Sequence, residues 1–442
     1  MLLYSSFLAG AGGAAGTLPP FIGALAKRIT STQSVSTATF TPIDYNGEEY
    51  DTASFHDNSS NPSRFTVPAA YNGRKGRLSG NLKSATANTV LAVQNKNAGN
   101  YQGGGSQDAT TSSPNNVNFM GAPVALATGD YFQNVAWINA ATGVPADDAN
   151  WGQLEVFPTS FAGALVKHSA TQSISSSLHP VTLAWDGEEY DTDAFHDTVT
   201  NNSRLTIPAA FNGRHVRLSV GIVLPGASTS AVAVIIQKNG ADVHGLPLKL
   251  QAVSGTEQFS CVSAPIQVAT GDYFTVVMYY FNASAQNVPA ADANVWFAID
   301  VLPNPFSGAL VKRTTNQLIS STTAIMTWEA EQYDVGGWWS GGSPTRLTVP
   351  SGVTKVRLTA NIRPGSTSGK IFIRTLKNGS SFVGMLAEGA APGTSGSPEA
   401  PGGVSAVVAV SAGDYFELEV TDASSENFGS STNVWFSIEA VE

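Results

Sequence analysis

The chain has one cysteine, few charged residues and no excess of basic residues, and each of these shortages excludes a class of protein. Cys261 alone cannot form an intrachain disulfide, and Cys-based metal sites are excluded as well. Charged residues are 13% of the chain, about half the roughly 25% that is usual for globular proteins. The net charge of −10 argues against nucleic-acid binding, which requires a basic surface. The composition is instead typical of a turn-rich, all-β protein.

The sequence also lacks the motifs of the common enzyme classes. It contains no P-loop, no dinucleotide-binding fingerprint and no Gly-x-Ser-x-Gly nucleophile elbow with a matching histidine and acid. No long stretch has a helical period of 3.6 residues. We therefore predict a non-enzymatic protein without a cofactor.

Recurring motifs divide the 442 residues into three repeats. Gly-Ala-Leu, Gly-Asp-Tyr-Phe and a Tyr-Asp pair recur, and so do an arginine that opens a strand ending in proline and a second arginine before leucine. The first residues of these motifs are, in the same order, Gly23, Gly163 and Gly308; Gly129, Gly271 and Gly413; Tyr50, Tyr190 and Tyr333; Arg64, Arg204 and Arg346; and Arg77, Arg217 and Arg357. Gly-Ala-Leu recurs after 140 and 145 residues, and a period of this length indicates whole domains in tandem.

The repeats predict an N-terminal segment and three β-sandwich domains. The predicted boundaries are 1–22 for an anchoring segment, then 23–158, 163–303 and 308–442 for the domains. Short Pro- and Phe-containing joints precede each Gly-Ala-Leu and are expected to be stiff. Arg204–Ile207 alternates polar and apolar residues as a half-buried strand does. Eight to ten such strands per repeat predict a jelly roll.

The order of these motifs resembles that of the C1q/TNF-like jelly roll. Their amino-acid sequences are similar to those of modules in tailed-bacteriophage virion proteins. The resemblance rests on the Tyr-Asp segment, the Arg-Leu-Thr-Val/Ile-Pro strand, Gly-Asp-Tyr-Phe and the closing Trp-Phe strand, and it covers all three repeats. It implies threefold bundles that serve as tail fibres, head spikes or capsid decorations.

The resemblance leaves two arrangements open for the three domains. Three chains could stack three trimeric tiers along one axis, or the three domains of one chain could close on each other as a pseudo-trimer. We favour the homotrimer on the resemblance, with the third domain farthest from the particle. Short joints permit the pseudo-trimer if the two ends of each domain lie close together.

The first 16 residues are apolar and small, without the basic start of a signal peptide and too short for a confident membrane span. We favour a segment that anchors the chain on another virion protein. Packing on the chain's own first domain, or a membrane or processing role, are the alternatives. The side chains predicted to anchor it are Leu2, Leu3, Tyr4, Phe7 and Leu8.

Several polar clusters resemble catalytic or metal-binding groups, but a structural role is favoured for each. The His-Asp pairs at His56 and His196 are expected in loops or at strand edges. The carboxylates in every repeat are expected to form turns or to pair with the first arginine, with a glycosidase pair or a calcium site as alternatives. These carboxylates are Glu48, Glu188, Glu331, Asp51, Asp191 and Asp334. The aspartates of Gly-Asp-Tyr-Phe are expected to shape turns.

Trp338 and Trp339 lie within a run of glycines in the third repeat. Exposed aromatic rings mark contact surfaces, so this pair is our candidate for contact with a host-surface glycan. Packing inside the domain or against a neighbouring subunit is the structural alternative.

These observations predict a structural protein on the surface of a virion. We expect a trimeric fibre or spike that contacts the host. A capsid decoration or head fibre is the first alternative, and a secreted lectin-like adhesin the second.

Overall fold

The computed structural model consists of short antiparallel strands, which confirms the predicted all-β class. It describes residues 18–85, 90–107, 116–138, 142–174, 180–224, 231–243, 251–252, 257–280, 285–290, 293–320, 322–365, 371–389, 401–422, 425–429 and 433–442. The helices in these ranges are two 3-10 turns, Ala69–Tyr71 and Ala209–Phe211. None of the helical segments described is long and apolar enough to cross a membrane.

The sheets fall into three sets along the chain, which we call units 1, 2 and 3. The strands of unit 1 are β1 (Ile22–Arg28), β2 (Gln33–Val35), β3 (Thr41–Pro42), β4 (Gly47–Asp51), β5 (Phe65–Thr66), β6 (Lys75–Lys83), β7 (Val90–Lys96), β8 (Gly99–Gln107), β9 (Asn116–Met120), β10 (Val124–Ala125), β11 (Tyr131–Ile138), β12 (Thr142–Val144) and β13 (Asp147–Val156). One sheet has the order β10-β6-β13-β1-β4 with β9 also on β6, and the facing sheet has the order β3-β11-β7-β8 with β5 on β11. β2 and β12 form a small ribbon.

Unit 2 repeats this plan. Its strands are β14 (Gly163–Lys167), β15 (Gln172–Ile174), β16 (Val181–Thr182), β17 (Gly187–Asp191), β18 (Arg204–Thr206), β19 (His215–Leu224), β20 (Ala231–Lys238), β21 (Ala241–Asp242), β22 (Gln251–Ala252), β23 (Glu257–Val262), β24 (Ile266–Gln267), β25 (Tyr273–Tyr280), β26 (Gln286–Val288) and β27 (Trp296–Val301). The sheets have the orders β17-β14-β27-β19-β23 and β16-β25-β20-β21.

Unit 3 has the same two sheets again. Its strands are β28 (Gly308–Lys312), β29 (Gln317–Ser320), β30 (Thr323–Ile325), β31 (Ala330–Val335), β32 (Leu347–Thr348), β33 (Lys355–Asn361), β34 (Ile371–Lys377), β35 (Leu386–Gly389), β36 (Gly402–Val404), β37 (Val408–Ala409), β38 (Tyr415–Asp422), β39 (Ser425–Phe428) and β40 (Trp435–Ala440). The orders are β31-β28-β40-β33-β36 and β30-β38-β34-β35.

The same irregularity occurs in the first strand pair of every unit. The register between the Gly-Ala-Leu strand and the Tyr-Asp strand shifts after Leu25, Leu165 and Leu310. A bulge of this kind bends a strand and changes where its side chains point. Its recurrence shows that the repeated motifs fold alike, so residues at matching positions can be compared between units.

The hydrophobic cores are not confined to single units. The core of unit 1 includes Trp296 and Ala298 of unit 2, and the core of unit 3 includes Leu25 and Trp151 of unit 1. A third cluster joins Ala264 of unit 2 to residues of unit 3. Each unit therefore buries apolar surface against both of the others, which is a major source of stability.

Candidate functional site where the three units meet

Each unit places an arginine opposite a carboxylate on its two central strands. Arg77 faces Glu155 across β6 and β13, and the same register pairs Arg217 with Asp300 and Arg357 with Glu439. Opposite charges in directly facing positions stabilise a sheet pair. The second arginine of the sequence motif is therefore half of an ion pair in every unit.

These three pairs join into one closed ring. Arg77 of unit 1 reaches Asp300 of unit 2 at 3.3 Å, Arg217 of unit 2 donates to Glu439 of unit 3, and Arg357 of unit 3 donates to Glu155 of unit 1 at 2.7 Å. Every arginine thus contacts the carboxylate of its own unit and the carboxylate of one other unit. We call these six residues the charged ring.

The charged ring is closed off from solvent. The three arginines are at most 2% exposed, and Glu155, the most open member, is 8% exposed. Three positive and three negative charges cancel, so attraction within the ring offsets part of the cost of removing these ions from water. All six residues belong to one chain.

The arginines control the ionisation of Glu155. Burial alone would raise its pKa, but Arg357, Arg77 and Arg217 outweigh burial and lower the pKa to about 2. Burial and the neighbouring Arg357 lower the pKa of Arg217 to about 9. At neutral pH the Glu155 carboxylate and the Arg217 guanidinium are therefore both charged.

A second layer of contacts caps one end of the ring's axis. Met120, Val262 and Val404, one from each unit, form a buried apolar cluster. Beside it, the Asn118 side chain of unit 1 donates to the carbonyl of Val404 at 2.9 Å and accepts from its amide at 2.8 Å. The units thus meet through both charged and apolar layers.

The first residues of the central strands β6 and β33 are lysines that contact aromatic rings of other units. Lys75 of unit 1 lies 3.7 Å from the ring centroid of Tyr190 in unit 2. The matching Lys355 of unit 3 lies 5.9 Å from the Tyr50 ring of unit 1. Cations over aromatic faces are attracted by the ring quadrupole.

The matching position of unit 2 is a histidine. His215 stacks on Phe306 with 3.8 Å between centroids and meets Tyr333 of unit 3 edge-on. Burial and Arg214 lower the pKa of His215 to about 4. At neutral pH it is therefore an uncharged ring that packs on two aromatic rings.

The last strand of each unit carries a tryptophan that packs against another unit. Trp151 of unit 1 donates to the carbonyl of Gly384 in unit 3 at 2.9 Å. Trp296 lies in the core of unit 1, and Trp435 packs with Ala264 of unit 2. The three tryptophans are fully buried, so their rings are shielded from solvent at the contacts between units.

The other end of the axis carries a cavity of about 440 Å³. Its floor includes Arg217, Asp300 and other members of the charged ring, and its walls are the joints between units. Phe21, Phe161 and Phe306, the aromatic residues of the three joints, all line it. Leu18 and Pro19 line it as well, so the described chain begins at this end.

The structure places Trp338 in the core and removes it as a surface contact. Trp338 is 1% exposed, and its indole nitrogen donates to Ser307 and to the carbonyl of Val335. It occupies the position of Phe55 and Phe195 in the other units, which are buried too. Trp339 is half-buried and packs against the core of unit 3. The pair therefore matches the alternative given above, which is packing inside the domain.

The His-Asp pairs and the repeated carboxylates organise loops. Asp51 accepts hydrogen bonds from the amides of Ala53 and His56, and Asp191 and Asp334 do the same for their loops. Two of the glutamates contact a histidine instead of the first arginine: Glu48 lies 3.0 Å from the ring nitrogen of His56, and Glu188 lies 2.8 Å from that of His196. Arg64 instead lies 4.1 Å from the ring of Tyr131.

The aspartates of Gly-Asp-Tyr-Phe shape turns as expected. Asp130 accepts from the amide of Ala127 and from Asn97, and it pairs with Lys96 at 2.8 Å. Burial would raise the pKa of Asp130, but the lysine and these hydrogen bonds lower it. Matching contacts surround Asp272 and Asp414.

The predicted anchor residues Leu2, Leu3, Tyr4, Phe7 and Leu8 lie outside the described residues. In the part of the chain that the structure describes, no group of three or more His, Cys, Asp or Glu side chains is arranged to hold a metal ion.

Two comparisons with known proteins found no match. A scan against protein-family models found no match, and a search of curated proteins found none either.

Proposed function

We propose that the chain is a non-enzymatic structural protein on the surface of a tailed-phage virion or a phage-like particle. The observation that carries this proposal is the charged ring, in which a single chain supplies all six buried charges. Such a ring fixes three sandwiches to one another, which supports a structural role. The sequence resemblance to virion modules supplies the biological setting.

We further propose an intrachain pseudo-trimer in place of the homotrimer that the resemblance favours. Each surface that a homotrimer would reserve for another chain is covered here by a unit of the same chain, through Lys75, His215 and Lys355. Unit 3 contacts both other units, which supports this arrangement over a three-tier rod with unit 3 at its outer end. The protein is then a knob with one chain per attachment point.

The attachment end follows from the joints. Leu18 and Pro19 lie at the cavity beside the joints, so the N-terminal segment leaves from this end of the axis. We propose that this segment docks on another virion protein through Leu2, Leu3, Tyr4, Phe7 and Leu8. The end capped by Met120, Val262 and Val404 then faces outward.

Two measurements test the proposal. Native mass spectrometry of the purified chain should give the mass of one chain, 46.0 kDa, and a mass of three chains would overturn the pseudo-trimer. Electron microscopy of particles labelled with an antibody to unit 3 should show label on the virion surface. Unlabelled particles from cells that make the protein would overturn the virion role.

The labelling also separates two versions of this role. Three units around one axis make a compact knob, which suits a capsid decoration or head fibre as well as the tip of a tail fibre. Label over the head would identify a decoration, and label at the tail tip a host-binding fibre. Deleting the protein should lower particle stability in the first version and adsorption to host cells in the second.

A further inference from the structure

A second cavity lies between units 1 and 3 and holds about 430 Å³. Unit 1 contributes residues from the ends of β6, β9 and β13, and unit 3 contributes β34, β35 and β38. Its volume is within the range of about 300–1,000 Å³ that is usual for small-molecule sites. We call it the lateral cleft.

The lateral cleft contains a buried polar atom that has no partner. Asn116 is 3% exposed, and its side-chain oxygen makes no hydrogen bond to any part of the chain that is described. An unsatisfied buried acceptor costs free energy comparable to a lost hydrogen bond. A ligand hydroxyl that donates to this oxygen, once the Asn116 amide turns towards the cleft, would recover that cost.

Aromatic and apolar side chains form the opposite wall. Phe382 is half-buried and is held by Phe416, with 5.6 Å between ring centroids. Phe372 and Met385 line the cleft beside it. The hydrogen bond from Trp151 to the Gly384 carbonyl fixes this segment of unit 3 against unit 1. The wall is therefore positioned before any ligand arrives.

The charged groups that line the cleft are held in ion pairs. Lys83 pairs with Asp147 at 2.5 Å, Arg374 donates to Glu419 at 2.9 Å, and Asp148 accepts from Lys27 at 2.8 Å. Both cations of the lining, Lys83 and Arg374, have a carboxylate partner, so the cleft has no unpaired positive charge to attract an anion. The same groups still offer donors and acceptors, because Arg374 and Asp148 are partly exposed.

We propose that the lateral cleft binds a neutral saccharide. Sugars present a ring of hydroxyls that both donate and accept, and an apolar face that packs on an aromatic ring. The cleft supplies the free acceptor of Asn116, the paired groups at its rim and the Phe382 ring. The inference deepens the proposed function, since it gives the host-contact role a site in place of Trp338.

The test is a binding screen of the full chain. The labelled protein is applied to an array of neutral and acidic oligosaccharides of two to six sugars, and the best neutral binder is then titrated by calorimetry. We expect neutral oligosaccharides to bind. Arg374→Ala and Phe382→Ala should each weaken that binding at least fivefold. Arg374 is exposed, so its removal should leave the fold intact.

Two variants serve as matched controls. Phe40→Ala removes an exposed ring outside the cleft, and Lys167→Ala removes one partner of an exposed ion pair. Both should bind like the unchanged protein. The proposal is overturned if no neutral oligosaccharide binds, if only acidic ones do, or if binding is the same in the Arg374 and Phe382 variants.

The array result is independent of the particle experiment. Sugar binding without label on particles would contradict the virion role and leave the cleft assignment standing. Label on particles without sugar binding would support the virion role and contradict the cleft assignment.

Discussion

Replacing Arg357 by methionine should open the charged ring. Arg357 donates to Glu155 of unit 1 and pairs with Glu439 of its own unit. Its removal leaves one uncompensated negative charge among five buried groups. Breaking a buried ion pair in this way costs about 3–5 kcal/mol of unfolding free energy. We expect Arg357→Met to lose an amount in that range.

A second substitution separates charge from packing. Adding Glu155→Gln to Arg357→Met leaves Arg77 and Arg217 with Asp300 and Glu439, so the charges cancel again. Residues of one ion-pair network couple by about 0.5–3 kcal/mol. The double variant should therefore lose about 2 kcal/mol less than the sum of the two single variants.

Urea unfolding followed by tryptophan fluorescence measures both effects. Trp151, Trp296 and Trp435 are buried at contacts between units, so their emission reports separation of the units. Lys167→Met breaks an exposed pair with Glu189 and should cost less than about 1 kcal/mol. A loss below about 1 kcal/mol in Arg357→Met, or strict additivity in the double variant, would refute the closed ring.

Two further predictions concern the contacts of unit 2. The folded-state pKa of His215 is about 4, below its ordinary value of 6.5, so the unfolded chain binds the proton first. The contribution of neutral His215 to stability is complete above pH 6.5 and is lost as pH falls towards 4. We expect His215→Gln to reduce the loss of unfolding free energy between pH 7 and pH 5, measured by urea titration, by on the order of 1 kcal/mol. An unchanged difference between the two pH values would count against this. Gly221→Ala would place a methyl group 2.4 Å from the indole nitrogen of Trp296. This substitution should lower stability by about 1–3 kcal/mol. Gly341→Ala has open space around it and should leave stability unchanged. Equal stability of the two variants would show that the contact is looser than described.

The strands could be predicted because their signals are local. Alternation of polar and apolar residues and turn residues such as those of Gly-Asp-Tyr-Phe act over a few positions. The repeats then transferred each interpretation to two further copies. The all-β class and the turn role of Asp130 were predicted for this reason and are confirmed.

The charged ring was missed because it depends on long-range register. Arg77 was recognised as part of a repeat, but its partners lie 78 and 223 residues away. One signal was present in the sequence. A single acidic residue interrupts the apolar end of each closing strand, as Glu155, Asp300 and Glu439 do, and a charge flanked by core residues implies a buried partner.

Trp338 was named as a candidate contact because it was considered without its counterparts. Counted from the Tyr-Asp pair, it matches Phe55 and Phe195, and Trp339 matches His56 and His196. A tryptophan that replaces a buried phenylalanine is expected in the core. The comparison between repeats was therefore more informative than the glycines around the two rings.

The contact between units 3 and 1 differs from the other two in its polarity, and this difference explains how the chain can close on itself. Gln153 of unit 1 donates to the carbonyl of Val407 in unit 3 and accepts from its amide, and Tyr50 donates to the same carbonyl at 2.7 Å. The register places Ala298 and Ser437, with short side chains, where unit 1 has Gln153. Units 1 and 2, and units 2 and 3, are held together by their joints, whereas units 3 and 1 have none. Specific hydrogen bonds at the one contact without a joint favour closure in the order 1-2-3 and disfavour exchange of units between chains.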